Sequence, residues 1–515
     1  MPKCTINGKE IEVPQGTTVI EAFKMLGDDI CHYCWHPGLS VAGVCRLCMV
    51  HIEGMPKLQI ACNTEVRDGM VVTNQTDDVK DTVKWGLDFH LINHPLDCPI
   101  CDQAGECGLQ DQYMKFGKYD PEMAEPKVKK HKVVDLGPTV VLDSERCILC
   151  SRCVRFTEEV TETNELGIFN RGDRAEIGTV QGRPLDNNYS LNTVDICPVG
   201  ALTSKDFRFR QRVWYLKDSE SICPGCSTGC NVKVYFNEEG LWRVKPRYNA
   251  EVNGHWMCDE GRNTYKYVNA AHRLKKVKAG QSGDWSQEEV FPETMKLGEK
   301  FRAAAEKNPE SIAVLVTGQY TNEEFKNFFE FVADELKVKN IFHWINNPEK
   351  FDDFDGLLLR GDKNPNTYGL KEEMKSRGGF KSLEDLQGKM SQFEWVLVLG
   401  PENQSQFPDL KEKVDLLSQA KSVIWLSACE TPELDALRAP THQIPMKTYI
   451  EKEGSFTNFK GLVQEFKRGT TVIEDALTLQ EVVALLRGHE LDYRNRPQPI
   501  GGTKKNHFTN VRGQL

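Results

Sequence analysis

Four groups of side chains in the first half of the chain stand at the spacing of metal ligands. They are Cys34, Cys45, Cys48 and Cys62; His94, Cys98, Cys101 and Cys107; Cys147, Cys150, Cys153 and Cys197; and Cys223, Cys226, Cys230 and Cys258. Thiolates in such runs bind zinc or iron–sulfur clusters. Seventeen of the 18 cysteines precede residue 260, and Cys429 alone follows.

A disulfide-bonded secreted domain is small and follows an export signal. Residues 1–20 show no basic stretch leading into a long apolar run, and no Arg/Ser-rich character. The apolar runs at 312–316, 395–400 and 423–426 are far too short to span a bilayer. The reading is a soluble protein in a reducing compartment that uses cysteine for metal and meets a membrane only through partners. A net charge of −10 argues against nucleic acid as a partner. The 515 residues leave room for three or four domains.

Residues 3–27 predict strand, turn, strand, helix. Asn7-Gly8 is a hairpin turn, Thr18-Val-Ile-Glu21 a capping box, and Gly27 a helix stop. That is the opening of a β-grasp fold, the fold of plant-type ferredoxins. Two pairings compete in the next stretch. Cys31, Cys34, Cys45 and Cys48 would make a zinc site; Cys34, Cys45, Cys48 and Cys62 would hold a [2Fe–2S] cluster, with Cys31 a bystander. Ala42-Gly43 favours the cluster, whose sulfides need small residues so that backbone N–H groups can approach.

Val79, Val83, Leu87 and Leu91 form one apolar line at helical spacing. His94 stands at the end of that helix, four residues before Cys98, and completes a set that has only three cysteines; His90 is the runner-up. A neutral imidazole leaves a cluster one charge less negative, which by itself raises its potential. The lysine-rich run PKVKKHK within 120–145 reads as a solvated linker.

A two-cluster ferredoxin carries C-x2-C-x2-C-x3-C-P twice, and the fourth cysteine of each run serves the other cluster. Here Cys147, Cys150 and Cys153 begin run one and Cys197-Pro198 ends run two. The complementary positions are Thr157, Asn187, Ser190 and Thr193. One ligand set survives whole and the other is erased whole. Cys223, Cys226, Cys230 and Cys258 follow the [4Fe–4S] pattern at the front of molybdopterin oxidoreductases, with a four-cysteine zinc site as the alternative. Beyond residue 275, apolar β-type runs alternate with helical stretches such as TNEEFKNFFEFVADEL, an α/β pattern with a mainly parallel sheet. No glycine-rich nucleotide motif appears. Cys429 reads as a buried small residue, and the tail from Arg494 as loosely ordered.

The motifs LSVAGVCRLCMV, NHPLDCPICDQAGECGLQDQ, RCILCSRCVRF and ICPVGAL resemble those of the large iron–sulfur subunit of NADH–quinone oxidoreductase, respiratory complex I. The resemblance covers residues 1–275 specifically and continues weakly beyond, through EKEGSFTNFKGLVQ at 451–464. It implies a multidomain α+β and α/β architecture: a β-grasp [2Fe–2S] domain over 1–78, a His(Cys)3 [4Fe–4S] segment over 79–118, a ferredoxin-like domain over 119–215 that kept one of two clusters, a molybdopterin-oxidoreductase-type [4Fe–4S] domain over 216–272, and a shortened, degenerate molybdopterin-oxidoreductase-like α/β domain over 273–515. It implies one [2Fe–2S] and three [4Fe–4S] clusters on the four sets above, the last set occurring only in some bacterial members and lying off the main electron path.

The expected role is a relay without a catalytic residue of its own. It would take single electrons from a flavin-bearing, NADH-oxidising subunit toward the next iron–sulfur subunit and quinone, in a proton-translocating enzyme on the cytoplasmic side of the bacterial inner membrane. No molybdopterin, flavin or NAD is expected on the chain. The alternatives are an electron-input subunit of a soluble NAD-linked hydrogenase or formate dehydrogenase, and a zinc-holding scaffold.

Overall fold

The computed structural model describes residues 1–120, 125–386 and 388–491. The tail from Arg494 lies outside the described residues. The chain divides into two compact units, Met1–Tyr215 and Leu216–Leu515.

In the first unit, β1 (Lys3–Ile6) turns into β2 (Lys9–Glu12) at Asn7 and Gly8, both at positive φ (47° and 81°). That backbone matches the right-handed twist of the paired strands. Thr18 and Glu21 exchange capping-box bonds at the start of α1 (Val19–Met25), and Gly27 ends it in the left-handed region. β3 (Met49–Ile52), β4 (Gln59–Ile60) and β5 (Met70–Thr73) complete a five-stranded sheet of order β2-β1-β5-β3-β4, in which β1 and β5 run parallel. Val19, Ile20, Ala22 and Phe23 of α1 pack on Ile6, Val50, Ile52 and Val72. This is the β-grasp.

α2 (Asp77–Leu91) buries Val79, Val83 and Leu87 as their spacing requires. There follow α3 (Gly108–Phe116), β6 (Val134–Asp135), β7 (Val140–Leu142), α4 (Arg152–Glu159), the hairpin β8 (Leu166–Phe169) and β9 (Glu176–Thr179), α5 (Asn192–Ile196) and β10 (Leu202–Ser204). The last of these pairs with β7 in a sheet of order β10-β7-β6.

The lysine-rich run is not the solvated linker that its composition suggests. Lys127 Nζ donates to the carbonyls of Leu91 (2.9 Å) and Ile92 (3.1 Å), and Lys130 Nζ to Ala175 (2.5 Å). Lys132 bridges Asp97 (2.6 Å) and Glu145 (2.7 Å). The end of α2 leaves carbonyls without helical partners, and a lysine meets them.

The second unit opens with an antiparallel meander, β11 (Lys217–Ile222), β12 (Asn231–Asn237) and β13 (Gly240–Pro246), then α6 (Asp259–Arg262) and α7 (Tyr265–Val268). Next come the hairpin β14 (Val277–Gln281) and β15 (Asp284–Glu288), α8 (Val290–Lys307), β16 (Ile312–Val316), α9 (Asn322–Phe329), β17 (Asn340–His343), α10 (Thr367–Lys375), β18 (Trp395–Leu399), α11 (Leu410–Leu416), β19 (Val423–Ser427) and β20 (Thr441–Pro445). The hairpin β21 (Gly454–Thr457) and β22 (Val463–Phe466) and the helix α12 (Leu479–Leu486) complete it.

Strands β20, β19, β18, β16 and β17 pair parallel in that order, and the β14–β15 hairpin extends the edge antiparallel through β20. Val314, Leu397 and Ile424 face α8, α9 and α12, while Leu315, Val398 and Trp425 face α11, so both sheet faces are covered and the central strands β16, β18 and β19 read as apolar runs. β17 and β20 escape sequence reading because NIFH and THQIP carry polar residues. The α9 stretch continues as a π-helical segment over Glu330–Glu335. Cys429 is 3% exposed, and its thiol donates to the Tyr267 carbonyl at 3.7 Å. Among the described residues no helix is long and apolar enough to cross a membrane.

Candidate metal centres

The first set sits on the loop between α1 and β3, with Cys62 supplied by a short turn after β4. Cys34, Cys45, Cys48 and Cys62 are all buried. Their thiols pair, Cys34 with Cys45 and Cys48 with Cys62. The loop closes because Gly43 and Arg46 adopt positive φ (63° and 55°), which turns backbone amides inward. The Tyr33 amide points at Cys45 Sγ (3.5 Å), and the amides of Cys45 and Val44 point at Cys34. The hydrogen bond from Cys45, helped by these amides and Arg155, pulls the Cys34 thiol down to about 5 against burial. Cys31 is buried too, but it lines a separate 250 Å³ cavity with Leu47, Val79 and Val83, and burial pushes its thiol up.

The second set surrounds a cavity of about 640 Å³ lined by His94, Cys98, Cys101 and Cys107. His94 follows α2, Cys98 opens a short turn, and Cys107 immediately precedes α3. His94 Nδ1 is buried without a hydrogen-bond partner, which is unusual for a buried polar atom. Burial, then the charges of Arg146 and Lys127, push the imidazole down to about 4, so it stays neutral as a metal ligand must. His90 is turned elsewhere. Its Nδ1 is bonded to the Gly86 carbonyl (2.7 Å) and its ring lies edge-on to Tyr33.

Two neighbours of this cavity carry no sequence signal of their role. A Cβ on Gly200 would lie 2.4 Å from Cys101 Sγ. Arg212 donates to the carbonyls of Cys101 (2.6 Å) and Pro99 (2.8 Å), holding the loop from outside.

Cys147, Cys150, Cys153 and Cys197 line one small apolar cavity with Leu142, Ile177 and Val199. Leu149 and Ser151, at φ 54° and 60°, wrap the RCILCSRC loop around it. Burial pushes the thiols of Cys147 and Cys150 up to about 12 and about 11. Backbone amides oppose that rise: Leu149 on Cys147 (3.4 Å), and Val199, Ala201 and Leu202 on Cys197. The erased positions are filled. Thr157, Ser190 and Thr193 are fully buried, and each hydroxyl donates to the carbonyl three residues earlier, at 2.7–2.9 Å. Asn187 Nδ2 donates to the buried Glu165 (2.8 Å). These hydroxyls are spent on local backbone carbonyls, and none of the four side chains offers the soft thiolate that an iron–sulfur cluster takes.

The fourth set lies at the end of β11 (Cys223), before β12 (Cys230) and at the start of α6 (Cys258), with Cys226 between. All four are buried. The Cys223 amide donates to the Cys230 carbonyl (2.8 Å), closing the loop. Gly225 donates to Cys223 Sγ (3.4 Å) and Gly261 to Cys258 Sγ (3.3 Å). A Cβ on Gly261 would sit 2.9 Å from Cys223 Sγ and 3.4 Å from Cys258 Sγ. Burial raises the Cys223 thiol to about 12 and pushes those of Cys230 and Cys258 well above the ordinary thiol range.

Among the described residues no group of three or more His, Cys, Asp and Glu side chains is closed around a single metal ion. The donor sets fit iron–sulfur clusters on other grounds: soft thiols, amides aimed at sulfur, an orphaned imidazole nitrogen, and glycines where a side chain would collide with sulfur.

Residues 3–77 match the 2Fe-2S iron-sulfur cluster binding domain family, and residues 86–121 the NADH-ubiquinone oxidoreductase-G iron-sulfur binding region. Residues 137–203 match the NADH-quinone oxidoreductase subunit 3 ferredoxin-like domain, and residues 216–270 the molybdopterin oxidoreductase Fe4S4 domain. The chain is 38% identical to the G-type subunit of NADH-quinone oxidoreductase from Streptomyces coelicolor over 339 residues, 65% of this chain and 40% of the relative. It is 43% identical to the mitochondrial NADH dehydrogenase [ubiquinone] iron-sulfur protein 1 of Solanum tuberosum over 262 residues, 50% of this chain and 35% of the relative. The matches thus span well under two thirds of these relatives' length. Among solved structures, a chain of an NAD+-reducing [NiFe]-hydrogenase aligns with a TM-score of 0.38 at 28% identity, covering 41% of this chain and 91% of that one.

Proposed function

We propose that the chain is a large iron–sulfur (G-type) subunit of an NADH–quinone oxidoreductase, an electron relay with one [2Fe–2S] and three [4Fe–4S] clusters; the matches to that family's iron–sulfur regions and relatives support the reading. Cys34, Cys45, Cys48 and Cys62 would hold the first. His94 with Cys98, Cys101 and Cys107; Cys147, Cys150, Cys153 and Cys197; and Cys223, Cys226, Cys230 and Cys258 would hold the others. The observation that carries this reading is that residues far apart in sequence, Cys34 with Cys62 and Cys147 with Cys197, line common sites.

When bound, the clusters supply one-electron carriers. The chain's own residues supply thiolates and one neutral imidazole, aim amides at sulfur, and keep water from most of these donors, which are buried or half-buried. The electron donor would be a flavin-bearing, NADH-oxidising subunit and the acceptor the next iron–sulfur subunit toward quinone. The enzyme would lie on the cytoplasmic side of the bacterial inner membrane, with this chain attached through partners. No molybdopterin, flavin or NAD is assigned to it.

Electron paramagnetic resonance of the dithionite-reduced, anaerobically purified chain tests the reading. One [2Fe–2S] and three [4Fe–4S] signals are expected. A colourless protein with zinc and no acid-labile sulfide refutes it.

A further inference from the structure

Two arginines on one turn of α4 reach from the third ligand set into the first. Arg152 Nη2 donates to the Trp35 carbonyl at 2.7 Å, and its Nη1 to the Ile196 carbonyl at 3.0 Å. One guanidinium therefore joins the residue after Cys34 to the residue before Cys197. Arg155 Nη2 donates to the carbonyl of Cys34 itself and lies 3.5 Å from the carbonyl of Cys150, while Nη1 donates to Ser40. A turn further along the same helix, Glu159 accepts from the amide of Ser40 at 2.7 Å. The loop of the first set is thus held by three side chains of the helix that carries Cys153.

The charges are as telling as the bonds. Arg155 is 7% exposed, and Arg152 is half-buried. Neither guanidinium has an acidic side chain at ion-pair distance among the described residues; every acceptor is a carbonyl or a hydroxyl. A buried cation without a counter-charge is costly. The groups near them that would carry negative charge are the ligand sulfurs on either side once a cluster holds them deprotonated: Arg155 acts on Cys34, and both arginines act on Cys150.

We propose that Arg152 and Arg155 are positioning residues that clamp the Cys34 and Cys150 sites together and hold up the reduction potentials of both centres at once. The inference rests on the relay reading above. Adding an electron to a thiolate-bound centre adds negative charge, and a buried cation beside it favours that step. Arginine suits the place because its fork reaches two carbonyls on different segments while keeping its charge.

The test is a redox titration of the full chain followed by electron paramagnetic resonance, comparing Arg155→Gln and Arg155→Lys with the parent. The [4Fe–4S] signal of the third set is the one lost in Cys153→Ala. Arg155→Gln is expected to lower the reduction equilibrium of both the [2Fe–2S] signal and that [4Fe–4S] signal about tenfold, which is about 59 mV for one electron. The signal of the His94 set should not move. Arg155→Lys, which keeps the charge, should recover most of the shift. Should Arg155→Gln fail to assemble both centres, Arg152→Gln is read in the same way. A shift in one signal alone, or in neither, overturns the shared clamp. Absence of clusters from the parent chain would instead sink the relay reading itself.

Discussion

Lys127 Nζ lies 2.9 Å from the carbonyl oxygen of Leu91, the last residue of α2, and 3.1 Å from that of Ile92. The next amide, Val128 N–H, donates to Asn93 Oδ1 at 3.0 Å. A strap 35 residues downstream therefore fixes the turn that presents His94. A cation at a helix C-terminus also meets the negative end of the helix dipole.

Lys127→Met should accordingly loosen the end of α2. Hydrogen bonds from a charged donor contribute about 1.5–3 kcal/mol, so a drop of about that size in unfolding free energy is expected for the first unit. Hydrogen exchange of the Leu91–His94 amides provides the check. Unchanged protection there would show that the strap is idle.

Gly200→Ala tests the cavity around His94. Its methyl group would stand 2.4 Å from Cys101 Sγ, inside contact distance, and would push that sulfur into the space a cluster would fill. The expected outcome is loss or strong weakening of the His94-set [4Fe–4S] signal, with the [2Fe–2S] signal retained. A full set of signals in this variant would move Cys101 out of the ligand set.

Cys153→Ala and Cys31→Ala form a contrasting pair. The first should abolish one [4Fe–4S] signal and stop NADH-to-quinone electron flow in the assembled enzyme. The second should leave all four clusters, because Cys31 faces the α2 side cavity rather than the paired thiols of Cys34, Cys45, Cys48 and Cys62. Loss of the [2Fe–2S] signal in Cys31→Ala would favour the four-thiolate pairing that leaves out Cys62.

Asp362 gives a pH dependence. It accepts from Thr367 Oγ1 (3.0 Å) and the Asn364 amide (3.1 Å), yet burial pushes its carboxyl up to about 6. The folded state then holds a proton that the unfolded chain, titrating near 4, has released. Stability should fall as pH rises from about 4 to about 6, by up to about 3 kcal/mol for a shift of two pK units. Asp362→Asn should flatten that slope in the second unit. Denaturant titrations at pH 4, 5, 6 and 7 decide it; parallel slopes for both proteins would remove Asp362 as the cause.

Much of each candidate site was legible in the chain because the loops that group its cysteines are local. C-x2-C spacings bring thiols within a few residues' reach, and the β-grasp hairpin, capping box and helix stop are short-range steric effects at Asn7-Gly8, Thr18-Glu21 and Gly27. The erased ferredoxin set was also readable by counting, since Thr157, Asn187, Ser190 and Thr193 occupy fixed positions in a known repeat. The lysine run misled, because composition reports solvation and says nothing of carbonyls 35 residues away. β17 and β20 were invisible because NIFH and THQIP place asparagine, histidine and glutamine inside a parallel sheet, which breaks the apolar run that marks a buried strand.

The sequence by itself determined which cysteines stand at ligand spacing and which runs they form, together with the apolar periodicities of α2, β16, β18 and β19. Only the tertiary structure decided what surrounds them: Lys127 on the end of α2, Gly200 against Cys101, and Arg152 and Arg155 between the first and third sets. The physical reason is one of range. Spacing and steric preference act over a few residues, whereas the environment of a buried sulfur is set by distant segments that meet it only after folding.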